Sequence, residues 1–342
     1  MTGYGAERSL AKPLRGMNAI PGPRVTASSQ CARHEHAVCF CSDEGYLPFA
    51  LFAALQIHRL HPDRCFDLVI AHTGPLSVPH GFPGIGIRYV EIDTGGCFER
   101  LALDARRTGS TYLRLALSGA LGHDYQRILY MDSDVFALRD GLHVLLFTDM
   151  RGKPLAAVRD NSQWRTSGRK PDDLVTLNLP ARPYFNAGVL LMDTARLNEQ
   201  DILAKALDLG TSQAGRLARH DQTLLNAVTS GNWAEMSPRW NWQFTWASWI
   251  FALSEDARIL HFIGPNKPWA DTSGRFPKSI TRAYGDFLAE QFPERTVERA
   301  ANSPINDPRR LIKSLIKHGL SRKKMSAYLA RFADDFTLID PS

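Results

Sequence analysis

The 342-residue sequence predicts an α/β protein: a mostly parallel, Rossmann-like mixed sheet flanked by helices, with a basic helical C-terminal tail. Three observations lead there. Short apolar runs alternate along the chain with longer amphipathic ones, the pattern of strand–helix–strand units whose strands lie parallel. One apolar run, in "RILYMDSDVFAL" (Arg127 to Leu138), closes on two aspartates, and open α/β sheets bind ligands at the carboxyl ends of their strands. From Arg309 to Arg331 there is no acidic residue, and basic residues interleave with apolar ones at helical spacing.

Taken in order, residues 1–34 are rich in Gly, Pro, Ser and Arg without periodicity and are expected to form a flexible leader. "HAVCFCSDEGYLPFALFAALQIHRLHP" reads as a strand over Ala37 to Cys41, a turn from Ser42 to Gly45, and an apolar helix ending near His61 and Pro62. Cys39 and Cys41 alternate along that strand and so face the same layer. "FDLVIAHTG" and "IGIRYVEID" are the second and third strands, "TYLRLALSGAL" a helix, and "RILYMD" and "PLAAVRD" further strands. The polar stretch Asn161 to Pro171 is expected to be a loop or lid. "YFNAGVLLMD" is a strong strand, "EQDILAKALDLG" a helix closed by Gly210, "HDQTLLNAV" the start of another, and "ARILHFIG" the last strand. This divides the chain into a leader (1–34), a main domain (35–270) and a helical extension (271–342).

With 44% hydrophobic and 22% charged residues the chain can bury an ample core. Its net charge of +6 admits an acidic partner. Nucleic acid is excluded, because much of the charge is concentrated in one tail rather than interleaved with aromatics across the fold. In that tail Arg309, Arg310, Lys313, Lys317, Arg322, Lys323 and Lys324 surround Leu311, Ile312, Leu315, Ile316 and Leu320. Such a helix suits an anionic inner-membrane surface. The alternative is a helix packed on the domain with a solvated basic face. Five cysteines, odd in number and without a CxxC pair, argue against a disulfide framework or zinc ribbon. The N-terminus lacks a continuous apolar stretch, and nothing approaches the roughly 18–20 apolar residues of a membrane span. The expected location is cytoplasmic, peripheral at the inner face of the membrane if the tail engages it.

Carboxylates are rarely buried unless paired or metal-bound. Asp132 and Asp134 would supply hard oxygen ligands suited to Mg²⁺ or Mn²⁺, although Asp also simply favours turns. "YMDSDVFAL" also resembles the first motif of haloacid-dehalogenase-type phosphatases. Against that, it lies well into the sheet, Val135 and Phe136 stand where Gly-Thr is expected, and the late acid pair Asp334–Asp335 follows no apolar strand. "HFIGPNKPW" (His261 to Trp269) tips the balance. Imidazole beside two carboxylates favours Mn²⁺ over Mg²⁺. Gly264 lets a phosphate approach the backbone, and Lys267 brings positive charge to a diphosphate.

Six segments in order, "FCSDEGY", "STYLRLAL", "ILYMDSDV", "YFNAGVLLMD", "HDQTLLN" and "HFIGPNKPW", span about two thirds of the chain. Together they resemble glycosyltransferase family 8, which includes glycogenins and bacterial lipopolysaccharide galactosyl- and glucosyltransferases. The resemblance implies a GT-A fold and a UDP-hexose donor. It also implies Mn²⁺ with Mg²⁺ as the alternative, and transfer with retention to a glycan or glycolipid acceptor, as in lipopolysaccharide or surface-polysaccharide synthesis. It implies that Asp43 accepts from uracil and Tyr46 stacks on it, and that Arg114 reaches the donor sugar. Asp160, Asn186, Asp221 and Gln222 would surround the hexose, with Gln222 near the anomeric carbon. Asp132, Asp134 and His261 would hold the metal, and Gly264 and Lys267 the diphosphate. Gly45 stands where the family often has Asn, and Thr223 replaces the second acid of a common Asp-Gln-Asp. Retention by double displacement needs a carboxylate nucleophile. An amide at Gln222 leaves a front-face route open beside it.

Trp233, Trp240, Trp242, Trp246 and Trp249 cluster in "NWAEMSPRWNWQFTWASW". They either line an acceptor groove or form core. A non-catalytic nucleotide-sugar or glycan-binding protein on the same scaffold is the alternative to an enzyme, although Asp132, Asp134, His261 and Lys267 are all present.

Overall fold

The computed structural model describes residues 22–101, 110–213, 216, 220–245, 248–295 and 308–341. Residues 1–21 of the expected leader, Trp246 and residues 296–307 lie outside the described residues. The remainder of the leader contributes an edge strand, β1 (Arg24–Ser28). Val25 alone is partly buried and packs against the core, while the other four residues are exposed.

β2 (His36–Cys41) is buried throughout and leads into α1 (Leu47–Leu60), which carries Pro48 in its first turn and stops before Pro62. β3 (Asp67–His72), β4 (Ile87–Asp93), α2 (Ser110–Leu121) and β5 (Arg127–Met131) follow. Then come β6 (Val135–Ala137), α3 (Leu142–Phe147), β7 (Leu155–Arg159), α4 (Asn161–Trp164), α5 (Asp172–Thr176) and β8 (Phe185–Asp193). Next are α6 (Thr194–Glu199), α7 (Ile202–Ser212), α8 (His220–Thr229), β9 (Ala234–Glu235) and β10 (Trp242–Gln243). The chain closes with α9 (Trp249–Ser254), β11 (Ile259–His261), α10 (Lys278–Gln291) and α11 (Pro308–Leu329).

Eight strands form the main sheet in the order β1-β4-β3-β2-β5-β8-β7-β9. Its centre, β4-β3-β2-β5, is parallel, while β1 and β8 run antiparallel to their neighbours. The expected mixed, mostly parallel α/β sheet is what forms. Side chains alternate across it: Val38, Phe40, Leu129 and Met131 join the core on one face, and Ala37, Cys39, Cys41, Ile128 and Tyr130 that on the other.

β11 belongs to a separate three-stranded sheet, β10-β11-β6. Two expectations need correction. The stretch after Asp160 begins with a helical turn, capped by the Asp160 carboxylate and pinned by buried Trp164, whose indole donates to Arg159 O. Gly210 does not close a helix: α7 continues past it, and a Cβ there would stand 2.4 Å from Leu101 Cδ2. The helical stretch before it breaks instead at Asp201, whose φ is 50°. Of the two readings of the tryptophan cluster, core is the one that holds for Trp233, Trp240, Trp242 and Trp249, all buried.

The C-terminal region shares the main core, to which Tyr284, Phe287, Met325, Tyr328 and Leu338 contribute. Buried Glu235 receives Arg159, Tyr328 and Arg331, and Asp335 receives Arg239 and Arg258. α11 packs through Ser314, Met325 and Tyr328. Its other apolar stripe, Ile312, Leu315, Ile316 and Leu320, is exposed, Leu320 to 81%. Among the described residues no helix is long and apolar enough to cross a membrane.

Candidate active site

Strand order reverses at β2: the chain moves outward through β3 and β4, then returns to place β5 on the other side of β2. A crevice outside the carboxyl ends of β2 and β5 is the expected ligand site in such a sheet. Asp43 follows β2 there, and Asp132 and Asp134 follow β5. The antiparallel β8 starts where β5 ends, and Asp132 N–H donates to Gly188 O over 2.8 Å. Thus Asn186 and Gly188 reach the same edge, and Asp160 arrives at the end of β7, whose Arg159 pairs with Phe185. The small sheet supplies the last part. β6 pairs with β11, and Phe262 N–H donates to Asp134 O over 3.0 Å.

Oxygens of Asp132 and Asp134 and a ring nitrogen of His261 all lie within 4.8 Å of one another. His261 Nε2 is 3.5 Å from Asp132 Oδ2 and 3.2 Å from Asp134 Oδ1. Asp134 Oδ1 is buried with no hydrogen-bond donor, an arrangement costly without a partner. Gly188 keeps the space clear. Two carboxylates and one imidazole converging in this way fit a divalent cation. Burial pushes the Asp134 carboxyl upward, but Lys267 and His261 more than reverse this and hold it well below the usual carboxylate range. Lys267 Nζ donates to Asp134 and to Phe262 O. Gly264, at φ 85°, has no atom within 4 Å of where a Cβ would point.

Arg114 is a buried hub. Its guanidinium lies 3.0 Å from Asp132 Oδ1 and 2.9 Å from Asp221 Oδ2, donates to Ala187 O over 2.7 Å, and sits 4.5 Å over the Tyr130 ring. Burial lowers its pKa, but Asp132 and Asp221 raise it further, so it stays charged. α8 carries Asp221 and Gln222. Gln222 Oε1 accepts from Asn186 Nδ2 and from Ala187 N–H. Eight expected site residues, Arg114, Asp132, Asp134, Asn186, Asp221, Gln222, His261 and Lys267, therefore form one bonded neighbourhood.

The others are placed differently. Asp43 Oδ1 accepts the Tyr46 N–H over 3.0 Å, and Tyr46 presents a ring 44% exposed beside Phe49 and Trp269. Burial raises the Tyr46 phenol, with opposing influences from Lys267 and Asp134 that mark its nearness to the cluster. Asp160 accepts from Ser162 N–H and Oγ. Thr223 is fully buried against the Tyr184 hydroxyl and faces core.

Sequence reading missed Gly188, Tyr130, Asn241 and Arg295. Gly188 interrupts a strong strand, itself a sign of close approach. The Tyr130 hydroxyl donates to Asp132, and Arg295 donates to Glu44 O and Gly45 O, tying down the turn between β2 and α1.

Residues 37–273 match the sequence model described as Glycosyl transferase family 8. General stress protein A of Bacillus subtilis is 27% identical over 202 residues, covering 54% of this chain and 68% of that protein. Lipopolysaccharide glucosyltransferase WaaO of Escherichia coli is 25% identical over 179 residues, covering 50% of this chain and 52% of its own length. The crystal structure of galactosyltransferase LgtC, in complex with donor and acceptor sugar analogs, superposes with a TM-score of 0.59 at 24% identity. It covers 77% of this chain and 97% of that one, a likeness of fold.

Proposed function

The chain belongs to glycosyltransferase family 8, and from that premise we propose that it is a retaining hexosyltransferase. It takes galactose or glucose from a UDP-sugar to a glycan or glycolipid acceptor, as in lipopolysaccharide or surface-polysaccharide synthesis. The observation that carries this reading is the convergence of Asp132, Asp134 and His261 beside Lys267, at the point where the strand order reverses. The similarity to a glucosyltransferase and to a galactosyltransferase structure supports a hexose without choosing between the epimers.

In this reading Asp43 accepts from the uracil ring, and the exposed face of Tyr46 stacks on it. Asp132, Asp134 and His261 hold Mn²⁺, with Mg²⁺ the weaker substitute. Bound there, the ion supplies Lewis-acid neutralisation of the diphosphate leaving group. Lys267 turns from Asp134 toward the diphosphate, and Gly264 gives it room. Arg114 holds Asp132 and Asp221 in place and borders the hexose together with Asp160, Asn186 and Gln222. An amide is a poor nucleophile, so Gln222 near the anomeric carbon favours a front-face route. There the departing diphosphate helps deprotonate the acceptor hydroxyl.

The tail completes the proposal. An exposed apolar stripe on α11 beside Lys313, Lys317 and Lys324 suits an anionic membrane surface, where a glycolipid acceptor would be found. In this reading the protein works in the cytoplasm at the inner face of the membrane.

UDP release from a panel of UDP-sugars, with Mn²⁺, Mg²⁺ or chelator, tests the reading on the native chain and on Asp134→Ala. Release with one donor, lost with chelator and in the variant, supports it. No release and no metal-dependent UDP binding would leave the non-catalytic scaffold as the better account.

A further inference from the structure

Asn241 lies just before β10, has no solvent exposure, and joins two parts of the site. Its Oδ1 stands 3.0 Å from His261 Nδ1, and its Nδ2 donates to Asn186 Oδ1 over 2.8 Å. The direction of this chain of bonds is set by backbone groups that can only donate. Gly188 N–H reaches one side-chain atom of Asn186 at 3.0 Å, so that atom must be oxygen. The same oxygen takes the bond from Asn241, which must therefore present its nitrogen there and its oxygen to His261. Buried oxygen opposite an imidazole nitrogen requires the proton on Nδ1. In the neutral ring Nε2 is then the bare lone pair, and it faces Asp132 and Asp134.

The other end of the chain is fixed in the same way. Ala187 N–H reaches a Gln222 side-chain atom at 3.1 Å, which is thus oxygen, and Asn186 Nδ2 donates to it over 3.2 Å. The Gln222 oxygen is committed to the protein, and its NH₂ is the end left for a substrate.

We infer that Asn241 is a positioning residue for both halves of the site. It holds His261 as the Nδ1–H tautomer with Nε2 presented to a divalent cation, and by donating to Asn186 Oδ1 it buttresses the amide that in turn donates to Gln222. This rests on the reading of the site given above. Partners that orient a metal-bound imidazole are typically worth 10–100-fold in metal affinity.

The test uses the full-length chain, ¹⁵N-labelled and metal-free, above the ordinary imidazole titration range. Long-range ¹H–¹⁵N spectra, with His261→Gln to assign the ring, should show a pyrrole-type Nδ1 and a pyridine-type Nε2. Asn241→Ala should lose that preference and bind Mn²⁺ about 10–100-fold more weakly by paramagnetic titration. Asn241→Asp keeps an oxygen toward Nδ1 but turns a second oxygen on Asn186. Its Mn²⁺ affinity should stay near native, while kcat falls more than KM for the UDP-sugar changes. If Asn241→Ala does not fold, the native spectrum and Asn241→Asp decide. A native Nε2–H ring, or a folded Asn241→Ala with unchanged Mn²⁺ affinity, overturns the inference and leaves the proposed activity intact. Failure of the native chain to bind Mn²⁺ overturns the metal reading and the presentation of Nε2, even with Nδ1 protonated.

Discussion

Gly188 approaches His261 so closely that a Cβ at position 188 would stand 2.1 Å from the imidazole Cε1 and 2.8 Å from Asp132 Oδ2. No real Cβ contact is that short, so any larger residue must displace the ring or the strand. Gly188→Ala is expected to weaken Mn²⁺ binding by at least about tenfold, with His261 moved off the Asp132–Asp134 pair. Calorimetric Mn²⁺ titration of native and variant checks this; unchanged affinity would mean that the ring is not held where the structure puts it.

Arg159 and Glu235 form an ion pair at 2.6 Å, with side chains 1% and 0% exposed. Tyr328 and Arg331 complete the cluster and fasten the end of α11 to β9. Removing one partner strands a charge in a low-dielectric interior, which costs about 3–5 kcal/mol. Glu235→Ala should lose that much in urea unfolding and loosen α11, read by hydrogen exchange. A loss below about 1 kcal/mol would indicate that the cluster is solvated.

His61 is buried, and its Nε2 accepts two backbone N–H groups, Gly141 at 3.0 Å and Leu142 at 3.1 Å. Burial lowers its pKa below 6.5, partly opposed by the bond to Ile57 O, and burial lowers His36 likewise. The sign follows from proton counting. Below 6.5 the unfolded chain binds protons that the folded chain refuses, so stability rises with pH there and is lost on acidification. The slope is at most about 1.4 kcal/mol per pH unit for each histidine. His61→Gln should flatten the fall between the folded value and 6.5 in chemical denaturation at a series of pH values. An unchanged slope would assign the effect to other groups.

Ile312, Leu315, Ile316 and Leu320 lie exposed on α11, with Lys313, Lys317 and Lys324 beside them. Each basic residue near an anionic bilayer contributes about 1 kcal/mol. Changing the three lysines to glutamate should abolish sedimentation with phosphatidylglycerol vesicles. It should leave UDP-sugar hydrolysis unaltered, because the stripe faces solvent on α11. Native binding should weaken as salt rises. Equal binding by native and variant would remove the membrane from the proposal.

Some of this was legible from residues in order. The carboxylates of Asp132 and Asp134 at one strand end and His261 at another suggested a shared site by chemical type, and the structure brings the three together. The helical stripe of α11 was legible because its spacing is local. The role of the tryptophans was not, since an indole is equally suited to a groove or a core, and only packing buried Trp233, Trp240, Trp242 and Trp249.

The sequence by itself determined the alternation of strands and helices, the residue types of the site and the family to which they belong. The tertiary structure alone decided the register that sets Gly188 against Asp132, the second sheet that carries His261 to Asp134, and the buried amides that link His261 to Gln222. The physical reason is range. Period and composition act over a few neighbouring residues, whereas a hydrogen bond such as that from Asn241 to Asn186 joins residues 55 positions apart. Its direction exists only once both are buried beside the same backbone.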